Sequence, residues 1–96
     1  MAQYDLHEIE GLLVVDLQSD VIGLDLTRLV APLRESGQYE YLPRLTPKVD
    51  VAGKSYVVHI HDMATVRRSR LGEPVGNLTE RADDLLRALD ILTRGF

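Results

Sequence analysis

The chain contains no cysteine, no tryptophan and one phenylalanine among its 96 residues. Without cysteine there is no disulfide framework, no thiolate metal site and no thiol nucleophile. Aromatic residues make up 5% of the chain, four of them tyrosines, which leaves little material for stacking nucleic-acid bases. No apolar run approaches the ~20 residues of a membrane span. The opening MAQYDLHEIE lacks the basic and apolar parts of a secretory signal, so a cytosolic protein is expected. Positive charge is also short. A net charge of -4 argues against nucleic acid as the main partner, because phosphate binding rests on a concentrated basic face. There is no glycine-rich phosphate loop, no serine, histidine and aspartate set in a motif context, and no pair of carboxylates spaced for acid–base work. An enzyme is not expected, and neither is a cofactor.

What is present describes a small folded domain. Hydrophobic residues at 45% with 27% charged residues are ordinary globular composition, and residues 1–96 make one domain. A core of that size is modest, and a homodimer would help it. Leu12 to Leu17, LLVVDL, is apolar and β-branched and reads as a buried strand. Gln3 to Leu6 reads as a short strand before it, turned by Glu8 to Gly11. Thr27 to Leu33 is the next strand, with Pro32 near its end, where proline is tolerated. Gln38-Tyr39-Glu40-Tyr41 suggests a small flap. Lys48 to Val51 and Ser55 to His61 flank Ala52-Gly53-Lys54, a hairpin connection, and Asp62 to Val66 continues as a further strand. Strands over about residues 3–66 followed by one helix make a mainly β domain with a C-terminal α-helix, a small barrel or α+β unit.

The helix is expected over about residues 79–94. Leu78, Ala82, Leu85, Leu86, Leu89 and Leu92 recur at steps of three and four and lay one apolar stripe along it. Asn77 followed by Glu80 has capping-box spacing, with Thr79 a rival cap. Gly95 suits a left-handed residue just past the helix end.

Two clusters could carry chemistry. His59, His61 and Asp62 place two histidines at i,i+2 on the expected strand, one face, beside a carboxylate that could share a metal. The bland alternative, a polar sheet face or a subunit interface, is preferred, and no metal is expected. Arg67, Arg68 and Arg70 suit an anion or an acidic partner, but a solvated edge that blocks unwanted strand pairing is preferred.

Several segments, in order, resemble one known family. Leu13 to Ile22, LVVDLQSDVI, resembles the "VDVQSDII" segment of the CcdB toxins, the gyrase poisons of plasmid-maintenance toxin–antitoxin modules. Thr27 to Leu33 resembles the family's "R-V-x-P-L" strand, and Leu42 to Pro47 its "L-x-P" approach to the middle hairpin. Asp62 to Val66 resembles "DMASV", Leu71-Gly72-Glu73 with Val75 and Leu78 resembles "IGEEVADL", and Ala88 to Leu92 with Gly95-Phe96 resembles "AINLMFWGI".

The resemblance implies an SH3-like β-barrel of the CcdB and MazF toxin type, assembled as a homodimer whose terminal helices meet across the two-fold axis. It implies that the helix tips enter the gyrase A subunit and trap its complex with cleaved DNA. A CcdA-type antitoxin segment would lift the toxin off, with no direct nucleic-acid contact and no membrane. By position the gyrase-binding residues are Ser19, Val21, Ile22, Asp90, Arg94, Gly95 and Phe96. Asp90 stands for a family asparagine. Arg94 stands where the family has the tryptophan that anchors it in gyrase. That exchange admits a homologue that keeps fold and antitoxin but not poisoning. A third reading is a MazF-like endoribonuclease, for which Arg67, Arg68 and Arg70 with His59 or His61 are the only material.

Overall fold

The computed structural model describes residues 2–20, 26–37, 42 and 44–95. Two hairpins frame the sheet. β1 (Asp5–Ile9) and β2 (Leu12–Asp16) are joined by Glu10 and Gly11, at φ 50° and 84°. β4 (Lys48–Val51) and β5 (Lys54–Val58) are joined by Ala52 and Gly53, at φ 52° and 80°. Two successive left-handed residues are the two-residue turn whose twist matches that of antiparallel strands. The connection between β4 and β5 is thus one residue shorter than the sequence pattern indicates, and Lys54 belongs to the strand.

β3 (Thr27–Glu35) is the central strand. One edge pairs with β2 through Val14–Pro32, Val15–Ala31 and Asp16–Val30. The other edge is shared. Residues 27–30 pair with β6 (Ala64–Arg67), and residues 33–35 pair with β5. A short β7 (Gly76–Asn77) closes onto β1, giving the order β4-β5-β3-β2-β1-β7 with β6 against β3, a nearly closed barrel. Pro32 lies inside β3 rather than near its end, and the pairing explains why it fits. Its carbonyl accepts from the His59 amide (2.9 Å), so the edge on which proline lacks a donor is the seam between β6 and β5. No ladder bond is lost there. Gly76 also has a steric reason, since a Cβ would lie 3.1 Å from Leu6 Cδ1.

Alternation along β2 and β3 sorts the core into two faces. Val15, Ala31 and Leu33 join Leu6, Val49, Val58 and Ile60 under the C-terminal helix, which contributes Leu85 and Ala88, with Leu78 ahead of it. Val14 and Val30 point the other way and form a smaller cluster with Leu71.

The helix itself, α1, spans Ala82–Arg94, after a 3-10 turn at Thr79–Arg81. The expected capping box is not formed, and Leu78 precedes that turn with no side-chain cap; instead Asn77 Oδ1 accepts from the Thr79 amide (2.7 Å) while its Nδ2 donates to Asp5 Oδ1 (2.8 Å). α1 begins at Arg81 with no side-chain cap, and Arg81 pairs with Asp84 (2.9 Å). Asn77 therefore joins β7, β1 and the helix approach. Asn77→Ala is expected to lower the stability by about 1 kcal/mol, read as a shift in the urea midpoint.

The apolar stripe is buried only over part of its length. Leu85 and Ala88 are buried and Leu89 packs beside them, whereas Leu86 is 47% and Leu92 39% exposed. Leu86 falls about 100° around the helix from Leu85 and misses the sheet. Leu92 lies two turns beyond Leu85 on the same side, where the core beneath has ended. The last turn of α1 therefore carries Leu92, Thr93 and Arg94 exposed, with Ile91 half-buried. Among the described residues, no helix is long and apolar enough to cross a membrane.

Candidate functional site

The exposed end of α1 is formed by local rules. Gly95 takes the left-handed conformation (φ 85°) and its amide donates to the Ile91 carbonyl (3.0 Å), which closes the last turn. Asp90, Arg94 and Gly95 are all exposed at this end, with Leu92 beside them. Phe96 lies outside the described residues.

Ser19 sits in a separate element, the loop that leaves β2, and is half-buried there. Val21 and Ile22 lie outside the described residues, as does the expected flap at residues 38–41. What holds the Ser19 loop is a set of buried polar groups with no obvious motif. Asp16, wholly buried at the end of β2, accepts from Arg28 Nε (2.8 Å) and from the Gln18 amide (2.9 Å). Arg28 donates onward to the Gln18 carbonyl (3.1 Å) and to Asp20 (3.4 Å). Gln18 Oε1 accepts from the Leu29 amide (3.1 Å), and Asp20 accepts from the Gln3 amide (3.0 Å). Burial disfavours the charged guanidinium of Arg28, but the hydrogen bond and charge of Asp16, then those of Asp20, outweigh it and raise its pKa. The loop from residue 17 to 20 is thus fixed from both sides by charge-assisted bonds.

Two of the surface clefts bear on the readings above. One, of about 250 Å³ at the foot of α1, is lined among the described residues by Arg44, Lys48, Arg81 and Arg87 with the acid Asp84. The other, about 500 Å³, is largely apolar and lies over Val14 and Val30, with Arg34 and Arg70 at its margin. Arg70 comes within 3.7 Å of Glu10, which offsets its charge. Arg67 ends β6 and, with Arg68, is exposed; neither lines this cleft, and nor do His59 and His61. The groups that a ribonuclease reading needs are not gathered in one groove among the described residues.

His59 and His61 are not on a strand. β5 ends at Val58, and the chain turns through a 3-10 segment at Ile60–Asp62. The two imidazoles still come together, with ring centroids 4.8 Å apart, because the turn rather than a pleat directs them.

The sequence matches the family model described as CcdB protein over residues 3–95. The chain belongs to the CcdB family. A solved structure described as the crystal structure of an Mtb toxin superposes with a TM-score of 0.70, covering 95% of this chain and 99% of that one at 19% identity. That likeness is one of fold. Within the CcdB family frame, the exposed helix end and the loop bearing Ser19 are the candidate site. Asp16, Gln18, Asp20 and Arg28 are the residues that sequence reasoning missed. The only available signal was an aspartate closing an otherwise apolar strand.

Proposed function

We propose that this CcdB-family chain is the toxin of a type II toxin–antitoxin module. In this reading a homodimer binds the gyrase A subunit through its helix tips and traps the complex of enzyme and cleaved DNA. Membership of the CcdB family over residues 3–95 carries the reading. The form of the chain supports it: a glycine-capped helix end keeps Leu92 exposed, as a tip that inserts into a partner would. The half-exposed Leu92 also offers apolar surface for helices meeting across a two-fold axis. The basic cleft of Arg44, Lys48, Arg81 and Arg87 suits an acidic antitoxin segment. The protein acts here as an inhibitor and not as an enzyme.

One residue favours a second reading. Arg94 lacks the indole that anchors the family in gyrase, and such anchors carry about 2–4 kcal/mol. A homologue that keeps the fold and the antitoxin but not poisoning is the alternative.

A gyrase DNA-cleavage assay with purified protein separates them. Linear DNA with the natural protein, lost on deleting Gly95-Phe96, is the expected result. Cleavage only after Arg94→Trp would support the alternative. Absence of trapped DNA with all three proteins would reject gyrase as the target.

A further inference from the structure

We propose that His59, His61 and Asp62 form a binding site for a divalent transition-metal ion of the zinc type. The observation that carries it is convergence: one ligand atom from each of the three residues lies within 4.8 Å of the others. His59 Nδ1 is 3.2 Å and His61 Nε2 is 3.9 Å from Asp62 Oδ2. Atoms bound to one ion through bonds of about 2.0–2.1 Å can be at most about 4.1 Å apart, and sit near 3.3 Å in a tetrahedron. Both distances to the carboxylate are therefore already in range. The two histidines must approach, by about 1.5 Å from the 4.8 Å limit to reach the tetrahedral spacing.

The frame supports that closure. His59 is buried, its amide donates to the Pro32 carbonyl (2.9 Å), and its carbonyl accepts from the Asp62 amide (3.0 Å). The Met63 amide closes the turn onto Ile60 (3.1 Å), and Ile60 is fully buried in the core beside Leu85 and Ala88. Two of the three ligands are thus held by backbone bonds and an apolar anchor. His61 is exposed and can swing inward at little cost, and it leaves the ion open to solvent.

Two imidazoles and a carboxylate with a position left for water are a borderline-soft donor set. They favour zinc, nickel, cobalt or copper over magnesium or calcium, which require more oxygen ligands. The ion would take the place of the hydrogen bond between His59 and Asp62. Because α1 rests on this turn, an ion there would brace the platform under the helix.

The test uses tag-free, chelator-treated full-length protein and Zn²⁺ alone. Calorimetry is expected to give one ion per chain, and Co²⁺ to give the visible absorption of a low-coordinate ion. Zn²⁺ at ten times its Kd should raise Tm by about 5–10 °C. His61→Ala, at an exposed position, should weaken binding at least about tenfold and abolish the Tm rise while leaving the circular dichroism unchanged. Asp62→Asn should do the same, and the remote Glu80→Gln should change neither. Binding that is unaltered in a folded His61→Ala protein would overturn the proposal. So would no binding up to about 1 mM Zn²⁺.

Discussion

Replacing Arg28 by alanine is expected to lower the free energy of unfolding by about 3–5 kcal/mol, against a total of about 5–15 kcal/mol for a domain of this kind. Arg28 is itself buried and meets a carboxylate, Asp16, that is wholly removed from water. Removing the guanidinium leaves that charge without its partner and takes two further donors from the Gln18 carbonyl and Asp20. The cost is the stranding of a buried charge more than the loss of one attraction. A double replacement, Asp16→Leu with Arg28→Met, separates the two effects. It should recover most of the loss, since an apolar pair of similar volume does not strand a charge. Urea unfolding of the natural protein and the two variants measures this directly, and a double variant no better than Arg28→Ala alone would contradict it. The double variant should still lose some order in the loop bearing Ser19, because the bonds of Asp16 and Arg28 to residues 18 and 20 are gone and only those from Gln3 and Leu29 remain.

The second large effect is expected at Leu85. Its side chain is 1% exposed and packs among Leu6, Val58 and Ile60, so it is the bolt between α1 and the barrel. Leu85→Ala should cost about 2–5 kcal/mol, the apolar transfer term plus the cavity left behind. Leu86→Ala, one residue along at a half-exposed position, should stay within about 0.5 kcal/mol. The comparison removes helix propensity as an explanation, since both changes are leucine to alanine in the same helix. Equal losses at the two positions in thermal or urea unfolding would mean that α1 does not rest on the sheet through Leu85.

Much of the barrel was legible because its strands obey simple rules. The run from Leu12 to Val15 needs burial on both faces, and the two core clusters on either side of β2 supply it. The helix was legible from its period, but not its burial: periodicity gives Leu92 the same face as Leu85 without telling where the sheet stops. Asn77 does not cap a helix: its side chain closes a local turn onto the Thr79 amide two residues on, and the spacing to Glu80 could not tell that turn from a capping box. The pairing of Asp16 with Arg28 was illegible. It spans twelve positions across two strands, and only the register that sets Asp16 opposite Val30 brings them together. His59 and His61 were singled out by strand alternation, which does not apply in a turn, and their proximity has a different cause. The candidate tip was legible through family likeness alone, since nothing in the spacing of Asp90, Arg94 and Gly95 points to a partner.

Pro32 has an effect on chain routing. Because residue 32 offers nothing to donate along one margin of a nine-residue strand, a single long neighbour on that margin would forgo one ladder bond there. Two short strands share that margin instead, and the chain leaves the sheet between them. The exit falls at His59, and the loop of backbone thrown clear there becomes the ledge on which α1 lies. The place where the barrel lacks that hydrogen thus adjoins the ledge that supports its α-helix.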